Sequence, residues 1–449
     1  MATLSTARRS APRLHFSPAT LRLTARAAAV LAAVVALKSF VIDPLTGHYG
    51  GTLNDFSIYV AAAHTMAAGG SPYAHFNANT VVMDGFDYPP FAAVLIRPLA
   101  LLDAHLASVI WLALMLAATV AAAVIVARTA LPRSWPRVEL GVIAALAFGP
   151  AAYSYWIGQI NALVFLLVAL AYRDYVRERR LRVGVLLGLA AAIKVGPVIL
   201  ILLLLRRRWW RGAAAMTATG VVATAAALPL IGLGALQTFI GSVLPTLGRP
   251  TGWIYNQTVA ASISRLASWS VLSPDPASPV IQAAGVVAGI SVIAIALVVV
   301  RSGPRSNSER GAEFGAAVTA MLLCGSLAWY SHFLLLLIPI FAAMGLALAR
   351  GWRHERRLVA ATATAVVMFA VVAPLTIAQL SMAGLVQLSH SPAWWPVLQL
   401  FALPSLSALW LLVELSRSLH KEAQPHGVEM ERAGRGVTRP WSRKGYQAS

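Results

Sequence analysis

The chain has 449 residues, of which 58% are hydrophobic and only 12% are charged, and its formal net charge is +20. Its mean hydropathy of +0.71 excludes a single soluble domain and is typical of a polytopic α-helical membrane protein. The basic residues gather in short clusters between apolar runs, as in cytoplasmic loops, and this pattern argues against a nucleic-acid partner. The single cysteine, Cys324, excludes an intramolecular disulfide.

Apolar runs predict the membrane spans in chain order. They lie near residues 22–42, 105–127, 138–153, 160–172, 212–232, 279–300, 313–328, 333–349, 358–379 and 396–415. Arginines flank residues 182–211 on both sides, so this stretch predicts two short helices that meet at Gly196-Pro197. The total is about 12 transmembrane helices with both termini in the cytoplasm.

The same pattern divides the chain into three parts. Residues 1–21 form a basic cytoplasmic segment, residues 22–416 the transmembrane domain, and residues 417–449 a basic, disordered cytoplasmic tail. The largest loops on the outer side of the membrane are predicted at 43–90 and 233–278. Residues 90–102 are too short for a comfortable span, so we interpret them as a re-entrant or interfacial segment.

The first outer loop carries only acidic charge. It contains no lysine or arginine, and its acids are Asp43, Asp55, Asp84 and Asp87. An acid-only loop in so basic a membrane protein favours the extracytoplasmic side. The remaining acids of the chain fall in predicted cytoplasmic loops, at helix ends, in the tail or in a proline-rich turn. The four loop aspartates are therefore the candidates for a base outside the membrane.

Two of these aspartates have a local context that would fix the carboxylate. Asp55 opens a predicted interfacial helix over residues 55–68, capped by Asn54 or Asp55, and the helix N-terminus would keep the carboxylate ionised. Asp87 precedes the rigid turn Tyr88-Pro89-Pro90. The plainer alternatives are an N-cap without a catalytic role and a solvated loop acid.

Cations, amides and one histidine at the predicted outer rim could bind a sugar phosphate. Lys194 stands beside the Gly196-Pro197 break, and Arg265 and Arg249 lie in the second outer loop; each could neutralise a phosphate or merely snorkel to the surface. Gln159 and Asn161 open a membrane helix after the aromatic residues Tyr153, Tyr155 and Trp156, and His332 lies at another predicted outer rim. The plainer alternatives are an aromatic belt at the interface and a structural, hydrogen-bonding histidine. Zinc, nucleotide and dinucleotide motifs are absent from the sequence in a suitable context, so we predict no metal and no cofactor.

The order of these motifs resembles glycosyltransferase family 87, a branch of the C-type membrane glycosyltransferases typified by actinobacterial α-1,2-mannosyltransferases that use polyprenyl-phosphate mannose. The resemblance covers about residues 50 to 350. It rests on Asp55-Phe56 with Tyr59, Gly70 and Tyr73, Tyr88-Pro89-Pro90, Gly158-Gln159-Ile160-Asn161, Ile193-Lys194 with Pro197, Arg207 to Arg211, Asn256-Gln257-Thr258 and Arg265.

The resemblance implies a C-type glycosyltransferase fold with an extracytoplasmic active site under the first outer loop. It implies that Asp55 is the general base and that the lipid tail of the donor lies between membrane helices. The candidate substrate-binding residues are Tyr59, Asp87, Tyr88, Gln159, Asn161, Lys194, Asn256, Gln257, Arg265 and His332. The expected partners are a polyprenyl-phosphate sugar, a glycolipid or polysaccharide acceptor and the lipid bilayer of the cell membrane.

Two questions stay open from the sequence. The family's mannosyltransferases often carry two adjacent histidines where this chain has only His332, so the sugar is mannose in α-1,2 linkage or, as in related members, arabinofuranose. A transporter or flippase of lipid-linked sugars would also have a membrane lysine and broken helices, but the sequence contains no internal repeat of the expected kind. A non-enzymatic scaffold is the third interpretation.

Overall fold

A computed structural model describes residues 18–77, 85–268, 278–300, 305–372 and 395–421. Within these ranges the fold is all-α, and the one extended pairing is an isolated bridge between Asn256 and Trp329. The helices of the first half are α1 Pro18–Leu37, α2 Asp43–Leu45, α3 Asn54–Ala67, α4 Pro90–Ile96, α5 Ala104–Ala130, α6 Arg137–Ala147, α7 Gly149–Ile157, α8 Asn161–Val176 and α9 Arg180–Ile193.

The second half continues in the same way. Its helices are α10 Ile201–Arg206, α11 Trp210–Thr238, α12 Leu244–Leu247, α13 Val259–Ser268, α14 Pro279–Val298, α15 Asn307–Cys324, α16 Leu337–Arg350, α17 Arg356–Val367 and α18 Trp395–Lys421. Short 3-10 or π segments extend or join them at Lys38–Ile42, Arg97–Leu101, Gly196–Leu200, Phe239–Val243, Tyr330–Leu336 and Met368–Val372. The predicted all-α architecture is confirmed for the described residues.

Five helical stretches of the described chain are long and apolar enough to cross a membrane. They are Arg22–Leu45, Ala104–Ala130, Trp210–Leu247, Pro279–Val298 and Tyr330–Arg350. A sixth would result if α6 and α7, which are bent by 53°, formed one broken span. The chain is therefore a multi-pass membrane protein, while the count of about 12 helices stays a prediction.

Several predicted boundaries differ from the structure. The single span predicted at 138–153 is broken at Phe148, because Pro150 in the first turn of α7 has no N–H to continue the ladder of α6. The outer loop predicted from residue 233 is helical to Leu247, since a kink at Gly232 (φ 76°) redirects the apolar helix without ending it. The tail was predicted to begin at residue 417, but α18 continues to Lys421. Residues 422–449 lie outside the described ranges.

The segment at 90–102 consists of α4 and a 3-10 turn that begins at Arg97-Pro98, and it does not reach the length of a span. This agrees with its interpretation as a re-entrant or interfacial piece. The last residues of the span predicted at 358–379 lie outside the described ranges, which stop at residue 372.

Close helix packing positions the polar residues inside this bundle. Helix α8 packs against α5 and α9, and α9 packs against α11. A Cβ at Gly184 of α9 would lie 2.1 Å from the Gly212 carbonyl oxygen of α11, so only glycine permits this approach. Packing against α8 and α11 holds α9 in place, and Lys194 directly follows the C-terminal end of α9.

Candidate functional site

The start of α3 turns the Asp55 side chain into the protein. The predicted cap by Asn54 or Asp55 is wrong, because α3 begins at Asn54 and its N-cap residue is Leu53, without a side-chain capping bond. Leu53 adopts the left-handed conformation (φ 51°), which is uncommon for a residue other than glycine. Its N–H donates to the Trp156 carbonyl oxygen at 3.0 Å. Asp55, released from capping, is only 2% exposed.

A glycine turn between α7 and α8 faces the start of α3. Gly158 has a positive φ of 70°, and a Cβ there would lie 2.6 Å from Cβ of Phe56, so the position requires glycine for two reasons. Trp111 Nε1 donates to the Gly158 carbonyl oxygen at 2.7 Å and holds the turn in place. The next residue is Gln159, whose Nε2 donates to Asp55 Oδ2. The turn thus joins the predicted base to the amide of Gln159.

Gln159 is the centre of a buried hydrogen-bonded cluster. The Tyr59 and Tyr88 hydroxyls lie 2.8 Å apart, and each lies 2.9 Å from Gln159 Oε1. The Lys194 ammonium lies 3.4 Å from the same oxygen. Because one amide oxygen faces both tyrosines and the lysine while the amide nitrogen binds Asp55, the cluster couples the carboxylate to the cation without a direct ion pair.

Lys194 is placed by the end of α9. The helix stops at Ile193, and Lys194 is extended (φ −148°, ψ 132°) just before the Gly196-Pro197 break. Its Nζ donates to Asn161 Oδ1 at 2.7 Å and lies 5.2 Å from the centroid of the Tyr88 ring. An ammonium group has three donors, so these contacts leave it able to bind an additional anion.

A cavity of about 370 Å³ opens beside this cluster. Its polar wall contains Asp87, Tyr88, Gln159, Asn161, Lys194 and His332, all of them predicted site residues. The rest of its wall is mainly apolar and includes Val195, Pro197, Val198, Ile199, Leu244, Leu247, Met321, Leu322 and Leu335. Asp55 and Tyr59 do not line it, since Gln159 and Tyr88 stand between them and the open space. The cavity therefore has a polar end, where these six residues gather, and a larger apolar part.

Several buried polar atoms near the cavity have no hydrogen-bond partner within the described chain. They are Asp55 Oδ1, Asn161 Nδ2, Ser331 Oγ and His332 Nε2. Buried polar groups are nearly always bonded, so a concentration of open donors and acceptors is typical of a ligand site. Ser331 was not among the predicted site residues, although it precedes His332 in the sequence.

Burial makes the carboxyl groups of Asp55 and Asp87 weaker acids. Burial raises the pKa of Asp55 to about 7, and the Lys194 charge acts in the opposite direction. Burial also raises the pKa of Asp87 to about 6, again against the effect of Lys194. Both groups therefore exchange protons near neutral pH, where a general base is most effective.

Three other predicted site residues lie apart from the cavity. Arg265 is 1% exposed, and its Nη1 donates to the carbonyl oxygens of Asn256 at 2.6 Å and of Trp253 at 3.3 Å. Asn256 Nδ2 donates to the Ser326 carbonyl oxygen at 2.8 Å. Gln257 Nε2 donates to a carbonyl oxygen as well, at 2.9 Å. These side chains hold the backbone of the second loop, and none of the three lines the cavity.

Of the other acids of the first loop, only Asp43 lies within the described residues, and it is not part of the cluster. Asp43 pairs with Lys38 at 2.9 Å, and Asp84 lies outside the described residues. Among the described residues, no group of three or more histidine, cysteine or acidic side chains is arranged to hold a metal ion.

Sequence reasoning missed much of the apolar wall. Leu244 and Leu247 come from the extension of α11 that was predicted to be a loop, and Met321 comes from α15. Nothing in the sequence distinguishes these residues from other apolar side chains. The amphiphilic wall results from tertiary packing.

The arrangement of a buried carboxylate, an adjacent ammonium and an amphiphilic cavity in a multi-pass membrane protein fits a membrane-embedded transferase of lipid-linked groups. The sequence profile described as Glycosyltransferase family 87 matches residues 86–328. This is more than half of the chain, so the protein belongs to glycosyltransferase family 87 and is a membrane glycosyltransferase. The matched segment contains Asp87, Gln159 and Lys194, and it begins after Asp55.

The chain is also similar to a solved structure, the crystal structure of ArnT from Cupriavidus metallidurans bound to undecaprenyl phosphate. The identity is 13%, the match covers 89% of this chain and 77% of that chain, and the TM-score is 0.41. So distant a likeness assigns no residue and no ligand. No sequence among the curated proteins matches the chain.

Proposed function

We propose that this protein transfers mannose, in α-1,2 linkage, from polyprenyl-phosphate mannose to a hydroxyl of a glycolipid or polysaccharide acceptor. The reaction takes place on the extracytoplasmic face of the cell membrane, with Asp55 as the general base. Membership of family 87 supports the reaction class. The observation that carries the proposal is the link from Asp55 through Gln159 to Lys194 at the polar end of an amphiphilic cavity.

The chemistry needs few protein groups because the sugar phosphate is already activated. An acceptor hydroxyl attacks the anomeric carbon while Asp55 takes its proton. The bond from the anomeric carbon to the phosphate oxygen breaks, and polyprenyl phosphate leaves. A single displacement inverts the anomeric centre, so a β-linked donor gives an α-linked product without a covalent sugar on the enzyme.

Lys194 is the cation proposed for the departing phosphate. The donor is a phosphodiester with one negative charge, and the product phosphate gains a second charge as the bond breaks. A fixed ammonium therefore stabilises the transition state more than the bound donor, which is the condition for catalysis. Its bond to Asn161 and its proximity to the Tyr88 ring hold the ammonium at the cavity wall.

The apolar part of the cavity suits the isoprenoid chain of the donor. Leu244, Leu247 and Leu335 belong to helices from different parts of the sequence and face one space beside Lys194. A polyprenyl chain bound there would place its phosphate at the polar end. The unpartnered atoms of Asn161 and His332 are then available for sugar hydroxyls.

Asp55 reaches the acceptor in this scheme only when Gln159 moves, because Gln159 lines the cavity and Asp55 does not. The open Oδ1 atom of Asp55 is the acceptor of the proton. Asp87 is the second candidate for the base, and a specific observation favours it: its side chain lines the cavity directly. The two assignments differ in which single substitution abolishes transfer.

The test uses purified protein with radiolabelled polyprenyl-phosphate mannose, polyprenyl-phosphate arabinose in parallel, and candidate lipid acceptors. We expect transfer of mannose by the wild type. In the Asp55→Asn variant kcat should fall by about a thousandfold or more, since a general base contributes about 10²- to 10⁴-fold and the substitution also removes the negative charge of the carboxylate. Asp87→Asn should retain more activity than Asp55→Asn. The reverse order would assign the base to Asp87.

The matched control is Asp43→Asn, an identical change in the same predicted loop, at a carboxylate that pairs with Lys38 at 2.9 Å. It should keep wild-type activity. Transfer of arabinose alone would overturn the assignment of the sugar, and full activity of Asp55→Asn together with Asp87→Asn would remove the mechanism altogether.

A further inference from the structure

A second cavity, of about 530 Å³, lies between the α8–α9 turn and the α10–α11 turn. Five arginines line it, together with a single carboxylate. The charged lining consists of Glu178, Arg179, Arg180, Arg182, Arg208 and Arg211. A concave surface with this excess of positive charge attracts anions.

This cavity is remote from the one that holds Lys194. Helix α8 runs from Asn161, at the first cavity, to Val176, beside the second, and α9 returns from Arg180 to Ile193. At a rise of about 1.5 Å per residue, the two helices separate the cavities by roughly 20 Å. The arginine cavity therefore lies at the opposite end of the α8–α9 pair and has no part in the transfer site.

The two turns that build this cavity have the same backbone form. Glu178 (φ 56°) and Arg208 (φ 57°) are both left-handed, and each stands two residues after the end of a helix. The following N–H of Arg179 donates to the Asp174 carbonyl oxygen at 2.8 Å, and that of Trp209 donates to the Leu204 carbonyl oxygen at 2.8 Å. These helix-ending bonds fix both turns, so the arginines stand on a rigid frame.

The single carboxylate of the lining does not neutralise the cavity. Glu178 lies 3.6 Å from Arg207 and 3.7 Å from Arg310, and neither of these arginines lines the cavity. By contrast, Arg182, Arg208 and Arg211 make no side-chain hydrogen bond or ion pair with any residue of the described ranges. Three guanidinium groups thus face one space with their donors open to an anion from outside the protein.

Apolar side chains border the same space. Trp210 is 64% exposed and Leu181 is 58% exposed, and both line the cavity. Exposed tryptophan beside arginine is typical of the interface between lipid headgroups and acyl chains. We propose that this cavity binds the headgroup of an anionic phospholipid, with its phosphate on Arg182, Arg208 and Arg211 and its acyl chains against Trp210 and Leu181.

The test is native mass spectrometry of the full-length protein in a neutral detergent, with phosphatidylglycerol or phosphatidylcholine titrated in. We expect retained phosphatidylglycerol at a concentration at least about tenfold lower than phosphatidylcholine. Replacing Arg182, Arg208 and Arg211 together by glutamine should raise the half-saturating concentration about a hundredfold, since each such cation contributes about fivefold. Equal retention of the two lipids by the wild type would overturn the proposal without any variant.

A matched control variant carries Arg353→Gln, Arg356→Gln and Arg357→Gln. These arginines follow the end of α16, are exposed, and do not line the cavity. The control should change retention by less than about threefold, and an equal loss would show a general charge effect and no site. Glycerol 3-phosphate is the probe for a soluble anion: if it displaces the lipid at a similar concentration, the acyl contacts contribute nothing and the lipid assignment is wrong.

Discussion

Two groups of buried polar residues in this protein each combine amide side chains with a cation, and they differ in what those side chains bind. Around the first cavity, Gln159 and Lys194 bond mainly to other side chains and lie against open space. Around the second loop, Asn256 and Arg265 bond to backbone carbonyl oxygens and lie away from the cavity. The first group faces a cavity, whereas the second holds a loop in shape.

The comparison explains why a charge in an apolar sequence is an ambiguous signal. Lys194 stands in an apolar stretch and Arg265 in a serine-rich one, and both were candidate phosphate-binding cations. Only Lys194 lines the cavity, whereas the guanidinium of Arg265 is occupied by two carbonyl oxygens. A cation that the backbone already binds is less available to a substrate phosphate.

The comparison between Lys194 and Arg265 is tested first by Lys194→Gln, for which we expect the largest fall in kcat. Removing the cation leaves the departing phosphate without its fixed positive charge, so kcat should fall by about 10²- to 10³-fold. The free energy of unfolding should change little, since the contacts of Lys194 with Asn161 Oδ1 and Gln159 Oε1 lie at the wall of a cavity. Steady-state transfer assays and thermal unfolding of the purified variant measure the two quantities.

Lys38→Gln is the control, because that lysine pairs with Asp43, away from the cavity, and is exposed. It should transfer sugar at the wild-type rate. A fall in kcat of less than about fivefold in Lys194→Gln would place the phosphate elsewhere and would remove the functional distinction from Arg265.

Substitutions of two asparagines provide the next test, because one should lower mainly stability and the other mainly activity. Asn256→Ala leaves the Ser326 and Thr251 carbonyl oxygens and the Ala328 N–H without their partner, so it should lower the free energy of unfolding by about 2–4 kcal/mol. Asn161→Ala removes one bond to Lys194 and should change stability by less than about 1 kcal/mol.

The activity of the two variants should follow the opposite order. Asn161→Ala frees the ammonium to move, and we expect kcat/KM to fall by about tenfold to a hundredfold. Asn256→Ala should keep near-normal kcat/KM per folded molecule. If both variants lost activity and stability together, the two polar groups would form one unit and the comparison would fail.

The pH dependence of kcat/KM tests the electrostatics of the first group. Burial raises the pKa of Asp55 to about 7, and a base is active only when ionised, so activity should fall as the pH drops through about 7. The Lys194 charge lowers this pKa. The residual activity of Lys194→Gln should therefore require a higher pH, with its acid limb displaced upward. An unchanged limb would mean that the titrating group is not near Lys194.

Rare residue types distinguished the candidate residues in the sequence, and whether they form the active site stays a prediction. Asp55 stood out because it is an acid in a basic chain, and Lys194 because it is a cation next to a helix break. The bond between Asp55 and Gln159 could not be predicted, because it joins residues 104 positions apart and depends on the left-handed Leu53 and on the close approach at Gly158. Local patterns contain no information on such pairings.

The same limit applies to the fold. Hydropathy predicted that the chain crosses the membrane several times, because apolar length alone decides insertion. It placed the loop after α11 too early, since glycine and proline in an apolar helix can kink it without ending it. The apolar wall at Leu244 and Leu247 was missed for that reason.

The smallest predicted effect concerns the tyrosines that flank Gln159. Tyr88→Phe removes one of the hydroxyls that lie 2.9 Å from Gln159 Oε1, while Tyr59 and Lys194 still face that oxygen. The amide should therefore keep its orientation most of the time, and kcat should fall by only about threefold to tenfold. Transfer assays with saturating donor measure this.

The double variant Tyr59→Phe/Tyr88→Phe makes the test decisive. With both hydroxyls gone, the Gln159 amide can rotate and present its oxygen to Asp55, which would repel the carboxylate. The loss in the double variant should then exceed the product of the two single losses, as expected for side chains that share one partner. Multiplicative losses would mean that the tyrosines contact the substrate independently and that Gln159 does not couple them to Asp55.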